Sequence, residues 1–400
     1  MPTPSRDTDR SRLLALDGLR GAACAAIILV HVWMFDRGDA GGGPKDVLDY
    51  AIGELRLAVP LFFALSGFLV YRPFVVAALE GRRRPSLRAY ALRRAARILP
   101  AYWVAVLGVF ALLAALRHER GIEAGQLPVF LLFLQNHFAA TIGRLDPPMW
   151  TLCVEVTFYL LVPVVGLAAL RLGPGRGRQL ALCGGLAALG AALVAAAAVG
   201  DWPRTATTSL LTNLTSFAAG MGAVALVHGR GLRRGAAWAL LAGGVALVVA
   251  DAVWHALAIG PLSWREIGAD QPAALGFGMV IAALAGSPLR VRALEVPPLT
   301  TIGILSYGAY LWHFPVIYAL RSWDAWPAAL VPASALVYAA TFAIAWVSWR
   351  ALERPVIRWA HRRSARPTPA GTPRPRTAGA GRGGSRRPAE AAWAAGRGRI

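Results

Sequence analysis

Long apolar stretches, separated by short arginine-bearing connectors, dominate this chain. Ten of them approach the about 20 residues an α-helix needs to cross a bilayer: 14–35, 55–79, 98–116, 150–170, 180–199, 207–228, 236–257, 269–286, 299–320 and 328–350. The pattern predicts an all-α polytopic membrane protein with about ten transmembrane helices. The first run follows Arg6, Arg10 and Arg12, but it has no small-residue cleavage site and nine further runs follow it. It therefore reads as a retained span rather than a removed signal peptide.

An eleventh apolar segment, 127–142, is short, opens on Leu127-Pro128 and contains Gln135, Asn136 and His137. Charge decides how to read it. Short cytoplasmic loops carry an arginine excess, and the richest such loop here is 80–97, with Arg82, Arg83, Arg84, Arg88, Arg93, Arg94 and Arg97. With that loop inside and 127–142 not crossing, Arg171/Arg176/Arg178, Arg230/Arg233/Arg234, Arg290/Arg292 and the C-terminus all fall inside too. With 127–142 as a full span, they all fall outside. The expectation is therefore an outer re-entrant or interfacial segment near 127–142, with both termini cytoplasmic. The domain reading is a cytoplasmic lead-in at 1–12, a transmembrane domain at 13–359 and a disordered tail at 360–400.

Composition agrees with a membrane protein of the cell's plasma membrane. Of the 400 residues, 56% are hydrophobic and 16% charged, and the mean hydropathy is +0.49. A net charge of +21 invites a nucleic-acid reading, but the arginines lie in clusters between spans rather than on one basic face. No nucleic-acid partner is expected. The tail holds ten Arg against one Glu and has no apolar period, which suits a solvated segment near anionic lipid. Cys24, Cys153 and Cys183 lie inside apolar runs. Unpaired in number and lacking paired spacing, they argue against disulfides and against a zinc site, and no metal is expected.

Ionisable residues inside spans carry the chemistry, because each costs about 2.5–3.5 kcal/mol at mid-bilayer. Arg20 and His31 are eleven residues apart, which returns them to nearly the same helix face about 16 Å apart along the axis. An acyl-coenzyme A fits that spacing, with phosphates at the cytoplasmic surface and the thioester deeper in the membrane. For His31 a packing histidine competes with a general base, and for Arg20 an interfacial anchor competes with a phosphate ligand. Glu155, about 8 Å below the start of its span, is placed to orient or charge-balance His31. Ser66-Gly67 reads either as a close helix-packing point or as a contact to acyl-CoA. Arg97 is either a topology determinant or a further phosphate ligand. Trp150, Tyr159 and His313 are candidates for the acceptor pocket, with interfacial or structural roles as the alternatives.

Motifs for metal hydrolysis, serine hydrolysis and P-loop nucleotide use are lacking. The stretches LDGLRGAACAAIILVHVWMF, FFALSGFLVYRPF, RRAARILPAYW, PPMWTLCVEVTFYLLVP, SYGAYLWHFPV and LERP around Glu353 resemble, in this order, the bacterial membrane acyltransferase-3 family, with Arg20 and His31 matching its Arg-x10-His pair. The family often has two adjacent acidic residues in the fourth-span motif; here only Glu155 stands, followed by Val156. The resemblance implies O-acyl transfer, commonly of acetyl, from cytoplasmic acyl-CoA as co-substrate, with no tightly bound cofactor. The acceptor would be a hydroxyl of a glycan, glycolipid or small metabolite. It also suggests a stand-alone version, without the soluble hydrolase-like domain of longer relatives. The alternative is a transporter or flippase without acyl-transfer chemistry, since buried charges also mark substrate pathways. No oligomeric state follows from the sequence.

Overall fold

The computed structural model describes residues 6–37, 46–257, 268–287 and 289–364, and among them the only regular secondary structure is helical. In chain order the helices are α1 (Arg6–Arg37), α2 (Val47–Gly53), α3 (Ala58–Leu79), α4 (Leu87–Ala115), α5 (Leu127–Leu131), α6 (Trp150–Leu172) and α7 (Arg176–Val199). They continue as α8 (Arg204–Thr207), α9 (Leu214–Val227), α10 (Arg234–Ala256), α11 (Gln271–Gly286), α12 (Pro297–Ser322), α13 (Leu330–Ser348) and α14 (Arg354–Ser364). Seven helical segments are long and apolar enough to cross a membrane: Leu14–Asp36, Val47–Leu79, Leu87–Ala115, Pro147–Leu172, Arg176–Val199, Arg234–Ala256 and Leu330–Ser364.

The other three expected spans are present as helices, and each falls short for a physical reason. α9 and α11 have 14 and 16 residues, and both are packed inside the bundle. α12 has 26 residues but carries Thr300, Ser306, Tyr310 and His313, all buried against protein. A helix that meets little lipid does not need an apolar surface. The same logic separates centre from rim: 72% of the α3 window is buried, against 17% for α7 and for α10. Residues 127–142 form only the five-residue α5 and a single turn at Gln135–His137, so this segment makes no spanning helix. α14 runs to Ser364, past the expected start of the tail at 360. Residues 365–400 and the first five residues lie outside the described residues.

The connectors carrying Arg82, Arg176, Arg230 and Arg290 share one end of the bundle. Arg176 donates to the carbonyls of Leu226 and His228 at 2.5 and 2.6 Å, and the His228 ring meets Glu80 at 2.8 Å. Leu232 N–H reaches Gly286 O at 2.8 Å, and Gly18 lies against Leu294 O. At the opposite end, His255 meets Glu54 at 2.7 Å, Arg56 pairs with Asp270, and Asn136 donates to Thr208 O at 3.0 Å.

Small residues set the helix crossings, as membrane packing requires where dispersion rather than the hydrophobic effect must hold helices together. A Cβ on Gly67 would stand 2.1 Å from Phe217 O, and one on Gly220 would stand 1.8 Å from Ala64 O. These two glycines bring α3 and α9 into backbone contact, which supports the packing reading of Gly67. Gly220→Val is expected to lower the thermal midpoint in detergent by about 2 °C or more, as ~2 kcal/mol of overpacking would do in a chain of this size. Gly184→Val, at a position with nothing within 4 Å, should leave the midpoint unchanged. Equal shifts in a fluorescence melt would contradict this account of the crossing.

Candidate functional site

α1 and α12 run parallel in a fixed register. The backbone of Gly21 meets Leu299 O and Gly303, while Gly303 meets Asp17 O. Three residues further on, Cys24 Sγ approaches Ser306 O at 3.9 Å. Ten residues beyond Gly21 and Gly303 stand His31 and His313, with His31 Nδ1 and His313 Nε2 2.8 Å apart. The Gly, Cys–Ser and His contacts all join residues 282 apart in sequence. The helix contact that starts at the glycines therefore delivers the imidazole pair.

Hydrogen bonding orders that pair. His313 is fully buried, and its Nδ1 lies 2.8 Å from the carbonyl of Tyr310. A carbonyl only accepts, so Nδ1 of His313 carries the proton. With both rings neutral, Nε2 of His313 accepts and Nδ1 of His31 donates. The Nε2 lone pair of His31 is then left to take a proton from elsewhere. The ring of His31 is held edge-on by Phe314 at 4.8 Å. Sequence reasoning placed Glu155 beside His31 and His313 in the acceptor pocket; the structure instead makes His313 the partner of His31.

Glu155 heads a separate cluster on α6. Ser66 Oγ from α3 donates to its Oε1 at 2.5 Å, and Tyr159 OH, one helical turn away, donates to the same oxygen. Oε2 has no hydrogen-bond partner among the described residues. Tyr159, expected in the acceptor pocket, thus belongs to Glu155, with the Arg94 guanidinium 5.7 Å over its ring. Arg20 pairs with Asp17 at 3.4 Å and lies within electrostatic reach of Arg97, Glu155 and Tyr159. Arg97 pairs with Glu353 at 3.4 Å and stacks over Tyr307 and Trp349 at 5.5 and 5.8 Å. Glu353 is buried and closes a π-helical turn, Trp349–Glu353. Such turns often mark functional positions in helices.

Tyr310 joins the two clusters. Its hydroxyl donates to Pro148 O at 2.7 Å and meets Thr151 Oγ1 at 2.8 Å, which ties α12 to the first turn of α6. Along the bundle axis His313 lies about one turn beyond Tyr310, and Glu155 about one turn on the arginine side of Thr151. Arg20 is about 16 Å from His31. The result is a polar column through an apolar bundle: Arg97 and Arg20, then Glu155 with Ser66 and Tyr159, then Tyr310 with Thr151, then His313 and His31.

Sequence reasoning missed Tyr310 and Asp146. Asp146, in the connector just before α6, is buried, and neither of its carboxylate oxygens has a hydrogen-bond partner among the described residues. Burial pushes its carboxyl well above the usual carboxylate range. A lone Asp ahead of Pro147-Pro148 was the available signal. Trp150 stands apart from the column, on the wall of a cavity at the end opposite the arginines. Among the described residues, no three or more His, Cys, Asp or Glu side chains cluster as metal ligands would.

Residues 13–350 match the acyltransferase domain family model. The chain is 28% identical over 319 residues to BcsY of Komagataeibacter xylinus, named as a membrane-bound transacylase, covering 77% of this chain and 74% of that protein. It is 25% identical over 389 residues to Nodulation protein 10 of Rhizobium leguminosarum bv. viciae, covering 89% and 96%. It is also 25% identical over 374 residues to the peptidoglycan O-acetyltransferase OatA of Listeria monocytogenes, covering 87% of this chain and 56% of OatA. No solved structure matches the chain. With a family model covering most of its length and a bundle of apolar spanning helices around a buried histidine pair, the chain belongs to the acyltransferase-3 family of membrane acyltransferases.

Proposed function

We propose that this protein is an integral membrane O-acyltransferase, moving an acetyl-type acyl group from acyl-CoA to a hydroxyl of a glycan, glycolipid or small metabolite. The observation that carries this reading is the chain of hydrogen bonds from Tyr310 O through His313 to His31. It leaves one unprotonated imidazole nitrogen at the far end of a polar column that begins with arginines. In this reading ten helices span the membrane, with both termini and the arginine connectors cytoplasmic. Arg20 and Arg97 bind the CoA phosphates there, exchanging their Asp17 and Glu353 contacts, both at 3.4 Å, for the ligand. The thioester arm extends along the column toward His31.

The reaction then follows from the tautomer. His31 Nε2 accepts the acceptor's hydroxyl proton as that oxygen bonds to the thioester carbonyl carbon. His313 holds Nδ1–H of His31 as the ring becomes imidazolium, the orienting role a third group plays in nucleophile–base pairs. The tetrahedral intermediate collapses, the C–S bond breaks, and His31 returns the proton to the departing thiolate. The products are the ester and free CoA. Glu155, with Oε1 taken by Ser66 and Tyr159, sets the charge against Arg20 rather than serving as the base.

Thiol release from acetyl-CoA by membranes carrying the protein tests the base. His31→Ala at wild-type membrane levels is expected to lose at least about a hundredfold in rate. Full activity removes His31 from the mechanism, and substrate movement without thiol release favours a transporter. A second prediction separates positioning from chemistry. His313→Ala should lower kcat about tenfold, the loss of one orienting hydrogen bond, with KM for acetyl-CoA unchanged. His313→Gln, whose amide oxygen can accept the same bond, should recover part of that loss. Equal activity of the two variants contradicts the positioning role.

A further inference from the structure

At the end of the bundle opposite the arginines, a cavity of about 420 Å³ opens between the ends of α3, α6, α7, α9 and α11. Its lining is divided by chemistry. Part of the lining is small and apolar, including Pro60, Ala197 and Ala198, and two indole-bearing residues, Trp150 and Trp202, also line the space. The remainder is hydroxyl, amide and carboxylate, including Ser216, Thr212, Asn213, Gln271, Asp201 and Asp270. No Lys, Arg or His lines it among the described residues.

Each feature narrows the ligand. An acyl chain would be poorly served by a wall this rich in hydrogen-bonding groups. A phosphate, whether of coenzyme A or of a lipid headgroup, would meet carboxylates and no cation. Asp270 is neutralised by Arg56, whereas Asp201 is exposed and makes no ion pair among the described residues. The Gln271 amide nitrogen donates to Ala269 O at 2.9 Å, while its Oε1 is buried and accepts nothing. Aromatic faces beside convergent amide and hydroxyl groups suit a ring with apolar C–H faces and an equatorial rim of hydroxyls.

A short run of contacts leads from the cavity lining to the histidine column. Trp150 precedes Thr151, whose hydroxyl contacts Tyr310, and Tyr310 O anchors His313. We propose that this cavity is the acceptor subsite and that it holds an uncharged or cationic sugar unit, with Trp150, one residue before Thr151, in its wall and Asp201 excluding uronic acids and other anionic sugars. The assignment of an acceptor rests on the acyltransferase reading; the sugar site itself does not.

Thiol protection tests the site without turnover. All three native cysteines are buried, so Ala198→Cys places one reactive thiol on the cavity wall. The full-length variant in phosphatidylcholine nanodiscs is treated with a water-soluble maleimide. The competitors are neutral methyl glycosides of the gluco, galacto and manno series, the corresponding methyl uronides, and glycerol phosphate. At least one neutral glycoside should slow labelling about fivefold, as a site four-fifths occupied would, while its uronide and glycerol phosphate do not. Asp201→Asn, which keeps a side chain suited to the local φ of +48°, should allow the uronide to protect. Trp202→Ala should abolish protection by the glycoside at an unchanged thermal midpoint.

Failure of every neutral glycoside to protect overturns the proposal, as does equal protection by glycerol phosphate or no gain for the uronide with Asp201→Asn. Thiol release from acetyl-CoA, measured in parallel on the unsubstituted protein, separates the two readings. Protection without thiol release upholds the sugar site and refutes the transferase chemistry. Thiol release without protection refutes the sugar site alone.

Discussion

The backbone contact between two parallel helices is the constraint on which the rest of this protein depends. Gly21 and Gly303 let α1 and α12 approach until a Cβ on either would collide with the other's carbonyls. Because that contact is parallel and its register is held at Cys24 and Ser306, the residues seven positions beyond those two, two turns on along the same face, meet as well. His31 and His313 are those residues. The pairing is therefore a property of the helix interface, and any larger side chain at the glycines would change both packing and chemistry.

A bilayer makes that pairing consequential. A polar group carried into the bundle is best held by a partner inside the protein, and partnered groups here occur in successive sets from the arginine end to the histidines. Tyr310 bonds to the start of α6, Ser66 and Tyr159 bond to Glu155, and Arg97 bonds to Glu353. The central helix that carries Tyr310 and His313 can be this polar because other helices enclose it. The rim helices α7 and α10, largely exposed to lipid, carry mostly Ala, Leu and Val.

The helices were legible because the bilayer imposes a length and an apolar composition on each one. The positions of all ten apolar runs match helices, and 127–142 was rightly set apart by its Pro128, Gln135 and Asn136. The chemistry was legible one residue at a time: His31, Glu155 and Arg20 stood out because charge inside a span is costly. Their partnerships were not. Tyr159 lies one turn from Glu155 and shares its face, a relation that spacing contains, but Ser66 and His313 come from distant helices. Only the helix contacts fix which residues meet, so the sequence alone left Glu155 and His313 both open as the partner of His31. The cavity at Trp150 was hidden for the same reason, since five separate helix ends line it.

The most direct test of this account is a structure of the full-length protein with a non-reactive acetyl-CoA analogue whose thioester sulfur is replaced by methylene. The account predicts the phosphates between Arg20 and Arg97, the pantetheine arm running past Glu155 and Tyr310, and the acyl carbonyl beside His31 Nε2. Phosphate density at the Trp150 end, or an acyl group remote from His31, would contradict it.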